Sequence, residues 1–294
     1  MGLLKKINVN WKSKKSSARK KPVRSLRLGQ IKKMNGLSGR VDNSSWVKTG
    51  ISGFDGLLGK GIPQGSSILL AGGAGSGKTI FSLETIYHAA KNNEKCLYIS
   101  LEESEERLRK HMRDFGWNCS DLEKRGLLKI KRVYPFKISR SVEALLSKAR
   151  GELNINLEHI EELIPKGFKP KWIIVDSLTA LAAAFKDDET SSYRLYIEQL
   201  FRYFEKLGAT SLFISETEQI PLKYSNSGAE EFLADGVVAF YAVRHGNIRE
   251  NAIEIIKLRG ATHKKKIVAM QIVEGEGIVV YPEQEIFSNI EVNK

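Results

Sequence analysis

Glycines, one lysine and one threonine between residues 72 and 79 have a spacing that suits them to bind phosphate. Gly72, Gly77, Lys78 and Thr79 fit the pattern G-x-x-x-x-G-K-[ST]. In this pattern the loop N–H groups surround phosphate oxygens, the lysine contacts the β- and γ-phosphates, and the threonine hydroxyl binds Mg²⁺. The predicted nucleotide-binding residues of this stretch are Gly72, Gly73, Ala74, Gly75, Ser76, Gly77, Lys78, Thr79 and Ile80.

Carboxylates follow two apolar runs further along the chain. The run 172–175 ends at Asp176, which is typical of a buried strand that delivers a nucleotide-site carboxylate, so Thr79 and Asp176 are the predicted Mg²⁺-binding residues. Glu102 and Glu103 follow another such run and are candidates for activating the attacking water. The alternative is that both are ordinary acidic residues in the first turn of a helix, where they favour its dipole.

Strand-like and helix-like segments alternate around these residues. A helix is expected over 80–90, directly after the glycine loop, and an amphipathic helix over 190–207. A further long helix is expected to begin at Ser139 or Ser141. Strands are expected at 67–71, 95–101, 127–133, 172–176 and 209–215. This alternation predicts an α/β fold with a mainly parallel, doubly wound sheet.

The last third of the sequence changes character. Short strand-like runs replace the helical patterns there, at 237–243, 252–258, 266–273 and 277–281. We therefore predict a β-rich, partly antiparallel C-terminal edge on the sheet. Lys257 and Arg259 lie in this part, and judged from their positions alone they are only charges at the end of a strand.

A series of short motifs, in the correct order, resembles KaiC-type ATPases of the RecA-like P-loop superfamily. The motifs are Gly50-x-x-Gly53-Phe54-Asp55, Gly75–Ser82, Leu101–Ser104, Phe115–Trp117, Val175–Thr179, Glu230–Gly236 and Leu258–His263. The resemblance is greatest to the first of the two ATPase repeats in the cyanobacterial clock protein. It implies one RecA-like P-loop NTPase domain over 46–288, between tails at 1–45 and 289–294.

The resemblance also implies partners and roles for individual residues. ATP and Mg²⁺ are the implied cofactors, and the implied assembly is a homo-oligomeric ring, usually a hexamer, with ATP held between adjacent subunits. Glu102 and Glu103 match catalytic bases. Lys257 and Arg259 match residues that reach the γ-phosphate of the neighbouring subunit's ATP, and His263 matches a histidine near the nucleotide.

One departure from the family pattern limits the resemblance. In the second repeat of the clock protein, an adjacent Ser-Thr pair accepts phosphate from ATP. The matching positions here are Glu231 and Phe232. Autophosphorylation at that site is therefore not expected.

The excess positive charge of the chain is confined to its beginning. Residues 1–40 contain 13 of the 47 Lys and Arg residues and no Asp or Glu, so the remaining 34 basic residues balance the 34 acidic ones. The tail 1–45 has few apolar residues, and we expect disorder there. Nucleic acid, an acidic protein partner, an anionic lipid surface or simple solubilisation remain open as roles for this tail.

The rest of the composition indicates a cytoplasmic protein. The apolar runs are too short for a membrane span, and the sequence does not open on a secretory signal pattern. Cys96 and Cys119 lie outside any metal-binding pattern and are expected to be buried free thiols in a reducing compartment.

Three functions are compatible with these features. The first is a slow, ring-forming ATPase whose nucleotide state switches its conformation and partner binding. The second is a DNA-dependent RecA-like ATPase of recombination or repair, but the loop 216–231 contains four glutamates against Lys223 and would repel a phosphate backbone. The third is an ATP-sensing scaffold with negligible turnover, which is disfavoured because Glu102 and Glu103 are both present. We predict the ATPase switch.

Overall fold

The computed structural model describes residues 45–148, 158–185, 190–225, 227–245 and 247–285. Apart from Ser45, the predicted tail 1–45 lies outside the described residues, as does the predicted tail 289–294. Within the described ranges, no helix is both long enough and apolar enough to cross a membrane.

The strands of the described residues form one large sheet and one small one. Their bounds are β1 Trp46–Val47, β2 Ile62–Pro63, β3 Ser67–Gly72, β4 Cys96–Ser100, β5 Leu128–Arg132, β6 Trp172–Asp176, β7 Thr210–Glu216, β8 Gly236–His245, β9 Ile248–Leu258, β10 Val268–Val273 and β11 Gly277–Glu285. Strands β1 and β2 pair with each other. The other nine form a sheet of order β11-β10-β9-β8-β3-β7-β6-β4-β5. The strands from β8 to β5 in this order are parallel, whereas β9, β10 and β11 are antiparallel, which confirms both predictions about the sheet.

Helices cover both faces of the sheet. Their bounds are α1 Lys78–Lys91, α2 Glu105–Asp114, α3 Cys119–Lys124, α4 Pro135–Lys148, α5 Glu158–Glu161, α6 Leu178–Ala182, α7 Thr190–Lys206 and α8 Ala229–Leu233. Neighbouring residues of β3 point to opposite faces: Leu70 packs in one core cluster with residues of α1 and α2, and Leu69 packs in the other with residues of α6 and α7. The sheet is therefore doubly wound.

One local expectation needs correction, and one short helix was not expected. Helix α4 begins at Pro135, ahead of the predicted Ser139 or Ser141. Proline is suited to the first helical position because its φ angle is fixed near the helical value and its missing N–H would be unpaired there in any case. The short helix α3 was not predicted, although Asn118 caps it by accepting a hydrogen bond from the Asp121 N–H at 3.2 Å.

Parallel pairing brings the carboxyl ends of four strands to one edge of the sheet, which we call the loop edge. Gly72 at the end of β3 is paired with Glu216 at the end of β7, and Ser100 at the end of β4 is paired with Asp176 at the end of β6. The loop edge therefore holds the start of the glycine loop, the two predicted catalytic glutamates and the predicted metal-binding aspartate.

A buried carboxylate connects helix α1 to the C-terminal hairpin. Glu84 is only 2% exposed, and its Oε2 accepts a hydrogen bond from the Ile278 N–H at 2.7 Å. The close approach depends on Gly277, which has a φ of +98° and where an added Cβ would lie 2.5 Å from Glu84 Oε2. His88 contacts the other oxygen of the same carboxylate at 3.6 Å and is one third exposed.

Removing this carboxylate should destabilise the fold. We expect Glu84→Ala to lower the free energy of unfolding by about 1–3 kcal/mol, because the buried Ile278 N–H loses its acceptor. Urea denaturation at neutral pH measures this change. His88→Ala is the matched control, since it removes only the exposed partner and should cost less than about 1 kcal/mol. Equal losses for the two variants would contradict a special role for the bond to Ile278.

Candidate active site

The glycine loop joins the end of β3 to the start of α1. Gly75 and Gly77 adopt φ angles of +73° and +99°, which L side chains rarely adopt. The Lys78 side chain is buried beneath the loop, where its Nζ donates to the carbonyls of Gly72 at 2.8 Å and Gly73 at 2.9 Å. Burial lowers the pKa of Lys78, while the negative charges of Glu216, Asp176 and Glu102 oppose that shift. The lysine is thus held at the base of the loop, within a negatively charged group of side chains.

Thr79 and Asp176, the predicted Mg²⁺-binding residues, are hydrogen-bonded to each other. The Thr79 hydroxyl donates to Asp176 Oδ2 at 3.0 Å, and the Tyr98 hydroxyl donates to the same oxygen at 2.5 Å. Burial raises the pKa of Asp176 to about 6, with the hydrogen bonds from Tyr98 and Thr79 opposing the shift and the charge of Glu102 adding to it. A carboxylate and a hydroxyl beside a phosphate-binding loop are oxygen ligands of the kind Mg²⁺ prefers, so these residues fit the predicted ion.

The two adjacent glutamates have different surroundings. The Glu103 carboxylate is held by Arg107 Nε at 3.0 Å and His111 Nε2 at 3.1 Å. Glu102 is exposed and accepts a hydrogen bond from the Ser177 hydroxyl, and among the described residues it forms no ion pair. The structure therefore distinguishes a glutamate whose charge is compensated from one that faces the cleft, a difference that the sequence does not indicate.

These groups line one cavity of about 450 Å³ at the loop edge. Its walls include the predicted residues Lys78, Thr79, Glu102, Glu103 and Asp176, and among the lining residues that were not predicted is one further carboxylate, Glu216. Glu216 is the last residue of β7, and its position after an apolar run was the only sequence signal for it.

Gln219 and Arg249 are further residues that sequence reasoning missed. Gln219 Nε2 donates to the carbonyl of Ala74 at 3.3 Å, and an Arg249 guanidinium nitrogen donates to Gln219 Oε1 at 2.8 Å. The same nitrogen lies 3.4 Å from the Ala74 carbonyl. Gln219 follows β7 at the loop edge, which could have indicated it, but Arg249 lies near the start of β9 and has no comparable signal.

Lys257 and Arg259 lie away from this cavity. Leu258 pairs with Gly236, and Gly236 pairs with Ile68 at the start of β3, whereas the glycine loop leaves β3 at its other end. The four residue steps from Ile68 to Gly72 span about 13 Å. Lys257 Nζ donates to the Ala234 carbonyl at 2.6 Å, and Arg259 donates to the Phe232 carbonyl at 2.9 Å.

His263 lies outside the cavity as well. It forms an isolated antiparallel bridge with Leu58, and burial lowers its pKa. The three residues that resemblance assigned to a neighbour's nucleotide are therefore not brought together with the glycine loop of their own chain.

The fold and the cavity together define the fold class of the P-loop NTPases. A parallel strand leads through a glycine loop into a helix that begins with Lys78 and Thr79, and strand β6, separated from β3 by β7, delivers Asp176 to the threonine.

Comparisons with known proteins place this P-loop protein in a family. A family model described as "ATPase: KaiC" matches residues 47–285, so the chain belongs to the KaiC family of ATPases. The circadian clock protein KaiC3 of Synechocystis is 32% identical over 82% of this chain, which spans only 46% of that relative's length. A UPF0273 protein of Thermotoga maritima is 30% identical over 81% of this chain and 96% of its own length. The crystal structure of a KaiC-like protein from Pyrococcus horikoshii matches 81% of this chain and all of its own, with a TM-score of 0.66 and 29% identity. The predicted resemblance and the RecA-like P-loop fold are confirmed.

The raised pKa of Asp176 predicts a pH-dependent stability. Below about pH 3 the carboxyl group is mostly protonated in both the folded and the unfolded chain, so it has little effect on stability there. The unfolded chain ionises first as the pH rises, so the folded state loses up to about 3 kcal/mol between about pH 4 and pH 6.

Asp176→Asn removes this loss. We expect the variant to gain stability relative to the natural chain as the pH rises from 4 to 7, measured by urea denaturation without divalent cations. The matched control is Asp121→Asn, which changes an exposed carboxylate and should shift stability by less than about 0.5 kcal/mol at every pH. A stability difference for Asp176→Asn that does not depend on pH would contradict the raised pKa.

Proposed function

We propose that this protein binds ATP with Mg²⁺, hydrolyses it slowly and acts as a ring-forming switch whose nucleotide state changes its conformation and partner binding. One observation carries the proposal: the phosphate-side residues lie at the loop edge, whereas Lys257 and Arg259 lie at the end of β9, on the opposite edge of the sheet. A complete site then requires two subunits, the first supplying the glycine loop and the second supplying the cations.

Each residue of the cavity has a separate task in this proposal. When ATP binds, the Lys78 ammonium group releases the loop carbonyls and contacts the β- and γ-phosphates. Its buried side chain already points toward the part of the loop where these phosphates would lie. Thr79 and Asp176 hold Mg²⁺, which neutralises charge on the phosphates when it is bound. Glu102 orients the attacking water and accepts its proton, because its carboxylate is exposed in the cavity and free of ion pairs among the described residues.

The cations of the neighbouring subunit complete the proposed site. Arg259 and Lys257 stabilise the charge that develops on the transferred phosphoryl group, and His263 lies near the nucleotide in the same interface. Turnover therefore depends on assembly, and the assembly we propose is a hexamer of identical subunits. Glu231 and Phe232 provide no hydroxyl group, so phosphate is not expected to be transferred to these positions.

The recombinase alternative has less support. Glu216 lines the cavity, and Glu218, two residues later, is exposed, so the loop that would face DNA presents negative charge. Glu230 does not add to this charge at the surface, because it is buried and accepts hydrogen bonds from Tyr193 at 2.6 Å and Ser227 at 2.5 Å.

Replacing Glu102 should slow ATP turnover much more than replacing Glu103. We expect Glu102→Gln to reduce the hydrolysis rate by about 100-fold or more while ATP binding is retained, because the amide cannot accept the proton of the water. Glu103→Gln, the matched control, should reduce it much less, since that carboxylate is held by Arg107 and His111. Single-turnover phosphate release and binding of a fluorescent ATP analogue measure the two effects. Undiminished turnover in Glu102→Gln would exclude this residue as the base.

Mixing two inactive variants tests the shared site. Lys78→Ala removes the loop lysine and Arg259→Ala removes the proposed cation, so each variant alone should be inactive. In an equal mixture, about a quarter of the interfaces combine an intact loop with an intact arginine, and phosphate release should recover in proportion. Each variant mixed with itself is the control. Mixed rings that are visible by native mass spectrometry but remain inactive would rule out a site shared between subunits.

A further inference from the structure

A positively charged surface lies at one side of the large sheet, formed by the edge strand β5 and the start of α4. The segment 129–142 contains five Lys and Arg residues and no Asp or Glu. Residues 41–294 taken together carry no net charge, with 34 basic and 34 acidic residues. The positive charge of this segment is therefore a local feature of the folded body, distinct from that of the N-terminal tail.

Two aromatic rings are exposed within this segment. Tyr134 is 52% exposed and Phe136 is 64% exposed, on either side of Pro135. The Arg132 guanidinium lies 5.0 Å from the centre of the Tyr134 ring, and Lys137 Nζ lies 5.6 Å from it. We call Arg132, Tyr134, Phe136 and Lys137 the β5–α4 patch. In the patch, cations and aromatic faces are presented side by side.

A cavity of about 260 Å³ opens beside the patch. Its walls include Tyr134 and Lys137 and also Lys131, whose Nζ already donates to the carbonyls of Glu162 and Leu163. The cavity therefore offers apolar and cationic surface next to an exposed ring.

Acidic groups are also present near the patch, but they leave its cations available. Glu162 lines the cavity, and a Glu105 carboxylate oxygen accepts a hydrogen bond from the Arg132 backbone N–H at 3.2 Å. Both contacts involve atoms other than the Arg132 guanidinium. Among the described residues, neither the Arg132 nor the Lys137 side chain forms an ion pair. Two unneutralised cations thus flank two exposed rings.

We propose that the β5–α4 patch binds single-stranded nucleic acid. Phosphates would lie against Arg132 and Lys137, and unstacked bases would stack on Tyr134 and Phe136, with one base able to enter the cavity. A positively charged surface with aromatic platforms is the combination that single-stranded binding uses, and it tolerates any base because every base has a flat face.

The same features disfavour the other occupants. The N-terminal tail of this chain is strongly basic and would be repelled. A duplex keeps its bases stacked on one another and cannot use the two rings. An acidic peptide would satisfy the cations but would leave the rings exposed to water. A membrane surface would require a broader apolar face than two rings interrupted by Lys137.

The test measures binding of a fluorescein-labelled 20-nucleotide oligo(dT) to the full chain by anisotropy, over a series of salt concentrations. We expect Tyr134→Ala/Phe136→Ala to weaken binding about a hundredfold, since each of the two base–ring stacks contributes on the order of one tenfold step. Tyr134→Phe keeps the ring and should bind like the natural chain. Ile220→Ala/Leu222→Ala is the matched control, because it removes two exposed apolar side chains elsewhere on the surface.

The cations give an independent measurement. Arg132→Ala/Lys137→Ala should reduce the slope of log Kd against log salt by about 1.4, because two phosphate contacts to a single strand are lost. Oligo(dT) binding that is unchanged in both double variants would assign all nucleic-acid binding to the tail and overturn the proposal. Competition by poly-glutamate, anionic vesicles or duplex DNA as effective as that by unlabelled oligo(dT) would overturn it too. Glu102→Gln should leave oligo(dT) binding unchanged, so the test is independent of ATP hydrolysis.

Discussion

Parallel strand pairing is the constraint on which the candidate active site depends. Lys78, Glu102 and Asp176 are far apart in sequence, and they meet only because the strands that precede them run in the same direction and end at the same edge. In each strand successive side chains point to opposite faces, so a slip of one residue between β6 and β7 would turn Asp176 away from Thr79. The apolar side chains that fill both core clusters fix this register, and in that sense the core determines the chemistry.

Burial also shifts the pKa values of charged side chains at the loop edge. The burial of Asp176 raises its pKa. The hydrogen bonds from the Tyr98 and Thr79 hydroxyls stabilise the ionised carboxylate and offset only part of this shift. Lys78 is buried nearby, and the carboxylates around it favour its charge. The site thus combines one buried cation with several carboxylates. A magnesium–nucleotide complex matches this arrangement, because its phosphates carry negative charge and its metal ion carries positive charge.

The sequence predicted most of the fold and the phosphate side of the site, but not the surroundings of individual side chains. The loop from Gly72 to Thr79 was predictable because its chemistry is local: the glycines, the lysine and the threonine act within one turn of chain. Glu102 and Glu103 were not separable, since their difference depends on Arg107 and His111 one and two turns into the next helix.

Features that depend on distant pairing were the least predictable. Arg249 reaches the glycine loop only because β8 and β9 place the start of β9 beyond the end of β3. The start of α4 at Pro135 was missed because serines are common helix caps, whereas a proline is easily taken as the end of a structure. The exposure of Tyr134 and Phe136 is likewise a property of the folded edge, since aromatic residues next to a strand are as compatible with a core as with a surface.

The bond between Glu84 and Ile278 has a consequence for how the domain opens and where it can be cut. If the β10–β11 hairpin separated alone, Glu84 would lose its bond to Ile278 and the apolar side chains of α1 would lose their packing against the hairpin, so hairpin and helix should unfold as one cooperative unit. The hairpin is therefore an integral part of the nucleotide-binding body and not an appendage. Truncation before residue 277 would disorder the helix that carries Lys78 and Thr79, whereas a fusion partner joined after residue 285 would leave that unit intact.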